Sequence, residues 1–161
     1  MPKDLALGLV ANENLIRHPE LLDKFKPGEI VVFDYNTTKV ASPAIFEKVG
    51  TMTELKGLNM YDTEFLNRDA HTLSKLTKLL YLNLGFTGVH CKEALKYAPL
   101  KNLNCLDLTC VKDGKLAIEK LPEMPQLRHV LFVKCELHDE ELKTNCENRS
   151  TSGSLTLPGM T

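Results

Sequence analysis

The chain reads as an α/β protein built from a repeated strand–helix unit, and three observations predict this. Leu55, Leu79, Leu103 and Leu127 stand 24 residues apart. Each carries the same apolar frame: Met52, Leu76, Leu100 and Met124 before it, Leu58, Leu82, Leu106 and Val130 after it, then Met60, Leu84, Leu108 and Phe132. Within each frame apolar residues alternate, as at Leu82 and Leu84, which is the signature of a short strand with one buried face. A period of this length means stacked units that bury a continuous core together, and such stacks usually present binding surfaces. The predicted architecture is a short, horseshoe-like solenoid with a parallel inner sheet, short outer helices and an N-terminal helical cap.

Residues 1–29 differ in kind from the repeats. Leu5, Leu9 and Val10, with Leu15 and Ile16, then Leu21, Leu22 and Phe25, fall at helical spacings broken by His18-Pro19. Two short amphipathic helices are predicted there, covering the exposed end of the first strand. A degenerate first unit follows, with Ile30, Phe33, Tyr35, Thr38 and Val40 in register with Leu55, Leu58, Met60, Thr63 and Phe65 once an extra residue is allowed. Its helix should begin at Ser42-Pro43, a good cap followed by proline, and end at Gly50.

About five units then fill residues 30–147. After each strand comes Thr63, Thr87, Val111 or Cys135, then Phe65, Val89 or Leu137 two places on. The rest of each unit reads as a short helix, for example Cys91–Tyr97 with Ala94 and Leu95 inward, halted by Pro99 or Pro122. His138-Asp139-Glu140-Glu141 would open the last helix, its acids complementing the helix dipole. Residues 148–161 read as a partly disordered tail in which Leu155 and Leu157 supply a partial capping strand.

This L-x-x-L-x-L pattern resembles the leucine-rich repeat, over four full units at residues 52–147. The chain departs from it at Thr38, Thr63, Thr87, Val111 and Cys135, where such repeats commonly carry asparagine that bridges neighbouring turns. Thr can do part of this and Val111 cannot, so looser turns are expected around residues 109–115.

Composition limits the function classes. The 161 residues suit one domain, with 43% hydrophobic and 25% charged residues, as expected of a chain with a real core. Net charge is -1, from 20 Lys and Arg against 21 Asp and Glu, so nothing argues for nucleic acid. No apolar run approaches the roughly 18 residues of a membrane span, and MPKDLALGLVANEN lacks the pattern of a signal peptide. Five cysteines without a C-x-x-C pair fit free thiols in the cytoplasm or nucleus. Two sequons, at Asn36 and Asn148, are the argument for the alternative, a secreted or cell-surface recognition protein.

The residues between the core leucines form columns across the inner, concave face. The middle column is Asp34, Asn59, Asn83, Asp107 and Leu131, about 20 Å of mostly polar surface at the spacing of parallel strands. On one side lie Val32, Gly57, Tyr81, Cys105 and His129. On the other lie Asn36, Tyr61, Gly85, Thr109 and Val133, and beyond them Thr37, Asp62, Phe86, Cys110 and Lys134. Aromatic anchors beside hydrogen-bonding groups suit a protein-binding surface. The candidate contact residues are Asp34, Asn59, Tyr61, Tyr81, Asn83, Phe86 and Asp107.

Catalysis is not expected. No glycine-rich phosphate cradle occurs. Cys105, Cys110 and His129 could approach one another on adjacent strands, yet they lack a fourth ligand for zinc and an orienting group for a nucleophile. The expectation is a monomer, without cofactor or metal, that binds a protein partner and neither nucleic acid nor membrane.

The N-terminal half is also similar to the ZYG/ZER substrate receptors of cullin-RING ubiquitin ligases. The similarity runs from Pro2-Lys3-Asp4-Leu5 through Leu21-Leu22, then from Lys39-Val40-Ala41-Ser42-Pro43-Ala44-Ile45-Phe46 to the strand at Leu55–Met60. Asn67-Arg68-Asp69 and Leu76–Leu84 continue it. The resemblance implies an intracellular adaptor presenting substrates for ubiquitin transfer, with an elongin–cullin complex or a ubiquitination substrate as partner. It transfers no site residues, because the segment contacting elongin and cullin and the helical-repeat domain capturing substrate have no counterpart in these residues.

Overall fold

A computed structural model describes residues 6–36, 42–99 and 101–135. Thr37, Thr38, Val40, Leu100, the acidic run at 138–141, Cys146, Asn148 and the expected tail strand at Leu155 and Leu157 lie outside the described residues. Six parallel strands form one sheet in the order of the chain. They are β1 (Leu7–Val10), β2 (Ile30–Asp34), β3 (Gly57–Asn59), β4 (Tyr81–Asn83), β5 (Cys105–Asp107) and β6 (His129–Leu131). Between them run helices α1 (Glu13–Arg17), α2 (Pro43–Gly50), α3 (Cys91–Tyr97) and α4 (Gly114–Lys120), with 3-10 segments at Pro19–Lys24, Asn67–Lys75 and Leu121–Glu123.

Register follows the leucine spacing. Phe33 pairs with Leu58, Leu58 with Leu82, Leu82 with Leu106, and Leu106 with Val130. A slip of one residue would turn this whole row to the other face, so burying it specifies the pairing. The row joins Ile45, Phe46, Val49, Leu73, Ala94, Leu95, Ala117 and Ile118 of the helical segments in one core. In the first units the core is aromatic: Tyr35 stands 5.5 Å from Phe46, which stands 5.2 Å from Phe65. From β4 onward leucines take over.

Local sequence explains most elements. Asn12 caps α1, its Oδ1 accepting the Leu15 N–H at 2.9 Å. Pro43 starts α2 and Ser42 occupies its cap position, without a side-chain bond. Helix α3 spans the expected Cys91–Tyr97, ahead of Pro99, with Ala94 and Leu95 buried.

Three expectations are corrected. The first expected helix, over Leu5, Leu9, Val10, Leu15 and Ile16, is instead β1 at Leu7–Val10, parallel to β2, and is helical only from Glu13. Four residues containing Gly8 make a poor helix, whereas a strand satisfies the free edge of β2, with Leu7 N–H on Glu29 O and Ala11 N–H on Asp34 O, both at 2.7 Å. The helical reading holds only from Glu13 to Lys24.

Gly50 ends α2 as expected. A Cβ there would come within 2.9 Å of Thr72 Cβ and carbonyl oxygen, so close packing of neighbouring units requires the glycine. The second correction is Asn67–Lys75, a 3-10 segment rather than an α-helix. Its polar side chains bond locally: Asp69 Oδ2 accepts Leu66 N–H at 2.9 Å, and Thr72 Oγ1 donates to Asp69 O at 2.7 Å.

Finally, the turn after β5 keeps the backbone bonds of its neighbours, including Cys110 N–H to Val133 O at 2.7 Å. Val111 is buried there, and Cys135 Sγ supplies the bridge between turns by reaching Leu108 O at 2.8 Å. The Thr63 and Thr87 hydroxyls instead bond within their own turns, to Met60 O and Leu84 O.

Candidate binding face

Opposite the core row, the sheet carries the columns read from the sequence. Tyr81 pairs with Gly57 and Cys105, and Asp34, Asn59, Asn83, Asp107 and Leu131 stand side by side across β2–β6. Several apolar side chains on and around this face stay open to solvent: Val10 is 64% exposed, Phe86 46%, Val133 43%, Val32 42% and Leu131 37%.

The polar column has a structural duty. The Oδ1 atoms of Asp34, Asn59, Asn83 and Asp107 accept the N–H of Asn36, Tyr61, Gly85 and Thr109 at 3.0, 3.1, 2.8 and 2.9 Å. Each side chain therefore folds onto the backbone two residues ahead and ends its strand. Asn83 is only 8% exposed and its amide also donates to the Tyr81 hydroxyl at 3.3 Å. These four residues shape the face more than they offer free groups, and Leu131 breaks the pattern.

The aromatic candidates do come together. Tyr61 and Phe86, on successive units, have ring centroids 5.2 Å apart, tilted by 59°. Gly85 makes room for this, because a Cβ there would lie 3.1 Å from Tyr61 Cδ2. Phe86 has a left-handed backbone (φ 56°), as do Asp62, Cys110 and Lys134 at φ 54°, 59° and 55°. These four stand at the 24-residue spacing. Of the four residue types only Asp62 hints at this conformation, since none is glycine and Phe, Cys and Lys rarely adopt it. Sequence reading also missed the strand-ending role of the column, although Asn or Asp ahead of a turn is its usual signal.

Electrostatically the face centres on Tyr81. Burial pushes its phenol up, the Asn83 hydrogen bond opposes this, and the charges of Cys105, Asp107 and Asp34 add to the rise. Burial, with the Asp107 carboxylate, also raises the Cys105 thiol. Away from the face, burial pushes the Cys91 thiol up to about 12. Thiols held protonated at neutral pH are poor nucleophiles. Among the described residues, no three His, Cys, Asp or Glu side chains gather as a metal site requires, and no helix is long and apolar enough to cross a membrane.

No protein-family model matches the chain, and no characterised protein matches it in sequence.

Proposed function

We propose that this chain is a non-catalytic recognition module, a leucine-rich-repeat solenoid that holds a protein partner against the open face of its sheet. The observation carrying this reading is the set of exposed apolar side chains, Val32, Phe86, Leu131 and Val133, beside an ordered polar column on a parallel sheet. Apolar groups held at a surface between hydrogen-bonding groups have the composition of an interface core and its rim. The repeat assignment is supported by residues 24 apart pairing from β3 to β6, and by left-handed turns at the same spacing.

The preferred setting is an intracellular adaptor in ubiquitin transfer. It rests on the ZYG/ZER resemblance and on the unpaired thiols of Cys91, Cys105, Cys110 and Cys135. The test is affinity purification of the full chain from cells beside its Val32→Glu/Leu131→Glu variant. A protein partner recovered by the wild type should fall at least about tenfold with the variant at unchanged melting temperature, a loss of about 1.4 kcal/mol. Equal recovery by both would remove the open face as the binding site. Elongin and cullin subunits among the recovered proteins would support the ubiquitin setting, and their absence counts against it.

A further inference from the structure

We propose that the open face takes an extended cationic segment of its protein partner, with an arginine seated on the Tyr61–Phe86 shelf and paired with Asp107. This rests on the binding-face reading and names the partner's chemistry. The position a Gly85 Cβ would occupy lies 3.1 Å from Tyr61 Cδ2, 3.2 Å from Asn83 Oδ1 and 3.4 Å from Asp107 Oδ1. A ring edge, an amide oxygen and a carboxylate oxygen thus close in over Gly85 with no room for a further atom. This brings the Asp107 carboxylate near the outer surface of Tyr61 and the half-exposed Phe86 ring packed on it. A purely apolar ligand would leave the carboxylate desolvated, and a small anion would be repelled. A guanidinium answers both neighbours, because it stacks on aromatic faces and donates charge-assisted hydrogen bonds to a carboxylate, here to Asp107 Oδ2, since Oδ1 already accepts the Thr109 N–H.

Charge across the face points the same way. In the four outward columns the charged residues of β2–β5 are Asp34, Asp62 and Asp107, while the turns beyond them add Glu64, Lys112 and Asp113. Among the described residues no Lys, Arg or His pairs with Asp34, Asp62 or Asp107. The basic groups of the face, His129 and Lys134, sit at its β6 end. Asp34 and Asp107 lie three strands apart, roughly 14 Å. An extended chain rises about 3.3 Å per residue, so cationic side chains four residues apart would reach both carboxylates.

Fluorescence anisotropy with the full chain tests this, using three labelled nine-residue Ser/Gly peptides. They carry arginine, glutamine or glutamate at positions three and seven. The arginine peptide should bind at least about tenfold more tightly than the glutamine peptide. Phe86→Asn and Asp107→Asn should each weaken it by about tenfold. Both variants preserve the turns, since asparagine tolerates left-handed backbone and already fills the column at Asn59 and Asn83. Melting curves check that they do. No binding of the arginine peptide at millimolar concentration, no preference over glutamine, or indifference to both variants overturns the inference. If the glutamine or glutamate peptide binds as well and either variant abolishes it, the cationic partner is wrong while the binding face stands.

Discussion

The two faces of the sheet use their residues in opposite ways. On the core side, Phe33, Leu58, Leu82, Leu106 and Val130 are interchangeable in kind: each fills space, and burial decides its worth. On the open side, Asp34, Asn59, Asn83 and Asp107 are bound by geometry, each oxygen aimed at one backbone N–H. The parallel sheet thus hides its stabilising contacts on one side and hides strand-ending bonds inside what looks like a free polar surface on the other. An exposed-looking amide in such a column has a structural role first. What remains available for recognition is what the column does not consume: the Tyr61–Phe86 rings, the exposed aliphatics and carboxylate oxygens unused by the turns.

The comparison makes graded predictions. The largest effect belongs to the core side. Leu106→Ala, at a fully buried position in mid-sheet, should cost about 2–5 kcal/mol in urea unfolding. A near-neutral result would mean that the inward row does not carry the stability.

Open-face effects should be smaller and chemically specific. Asn83→Ala removes the acceptor for Gly85 N–H and should cost about 1–3 kcal/mol, whereas Asp107→Asn keeps its acceptor and should stay within about 0.5 kcal/mol. Similar costs for the two would dissolve the distinction between oxygen and charge. The smallest effect is a gain. Leu131→Asn places the missing acceptor two residues before Val133 and should stabilise by about 0.5–1 kcal/mol in a thermal melt, since Leu131 is already 37% exposed. A loss there would show that Leu131 packs more usefully than the column's rule suggests.

Much of this was legible from spacing alone. The leucine period located four of the six strands, their mutual register and both faces, because a strand's side chains alternate and burial permits one phase. The α3 boundaries were equally plain, with Ala94 and Leu95 inward and Pro99 just beyond. The N-terminal strand was not, since Leu5, Leu9 and Val10 fit a helix and only the unpaired edge of β2 makes extension favourable. Nor was the 3-10 segment at Asn67–Lys75, whose form depends on three-dimensional competition between side-chain and backbone hydrogen bonds. Among the candidate contacts, sequence placed Asn83 and Asp107 in the right column without showing that the Oδ1 of each also holds a turn N–H.

By itself, then, the sequence determined which residues face inward and which stand in rows outward, since periodic burial is a property of the chain's own rhythm. Tertiary structure decided which outward groups are free. It turned Phe86 onto Tyr61 across Gly85, and it placed the Asp107 carboxylate beside them. Those relations join residues of successive units through left-handed turns that no glycine announces. They exist only once neighbouring units are stacked.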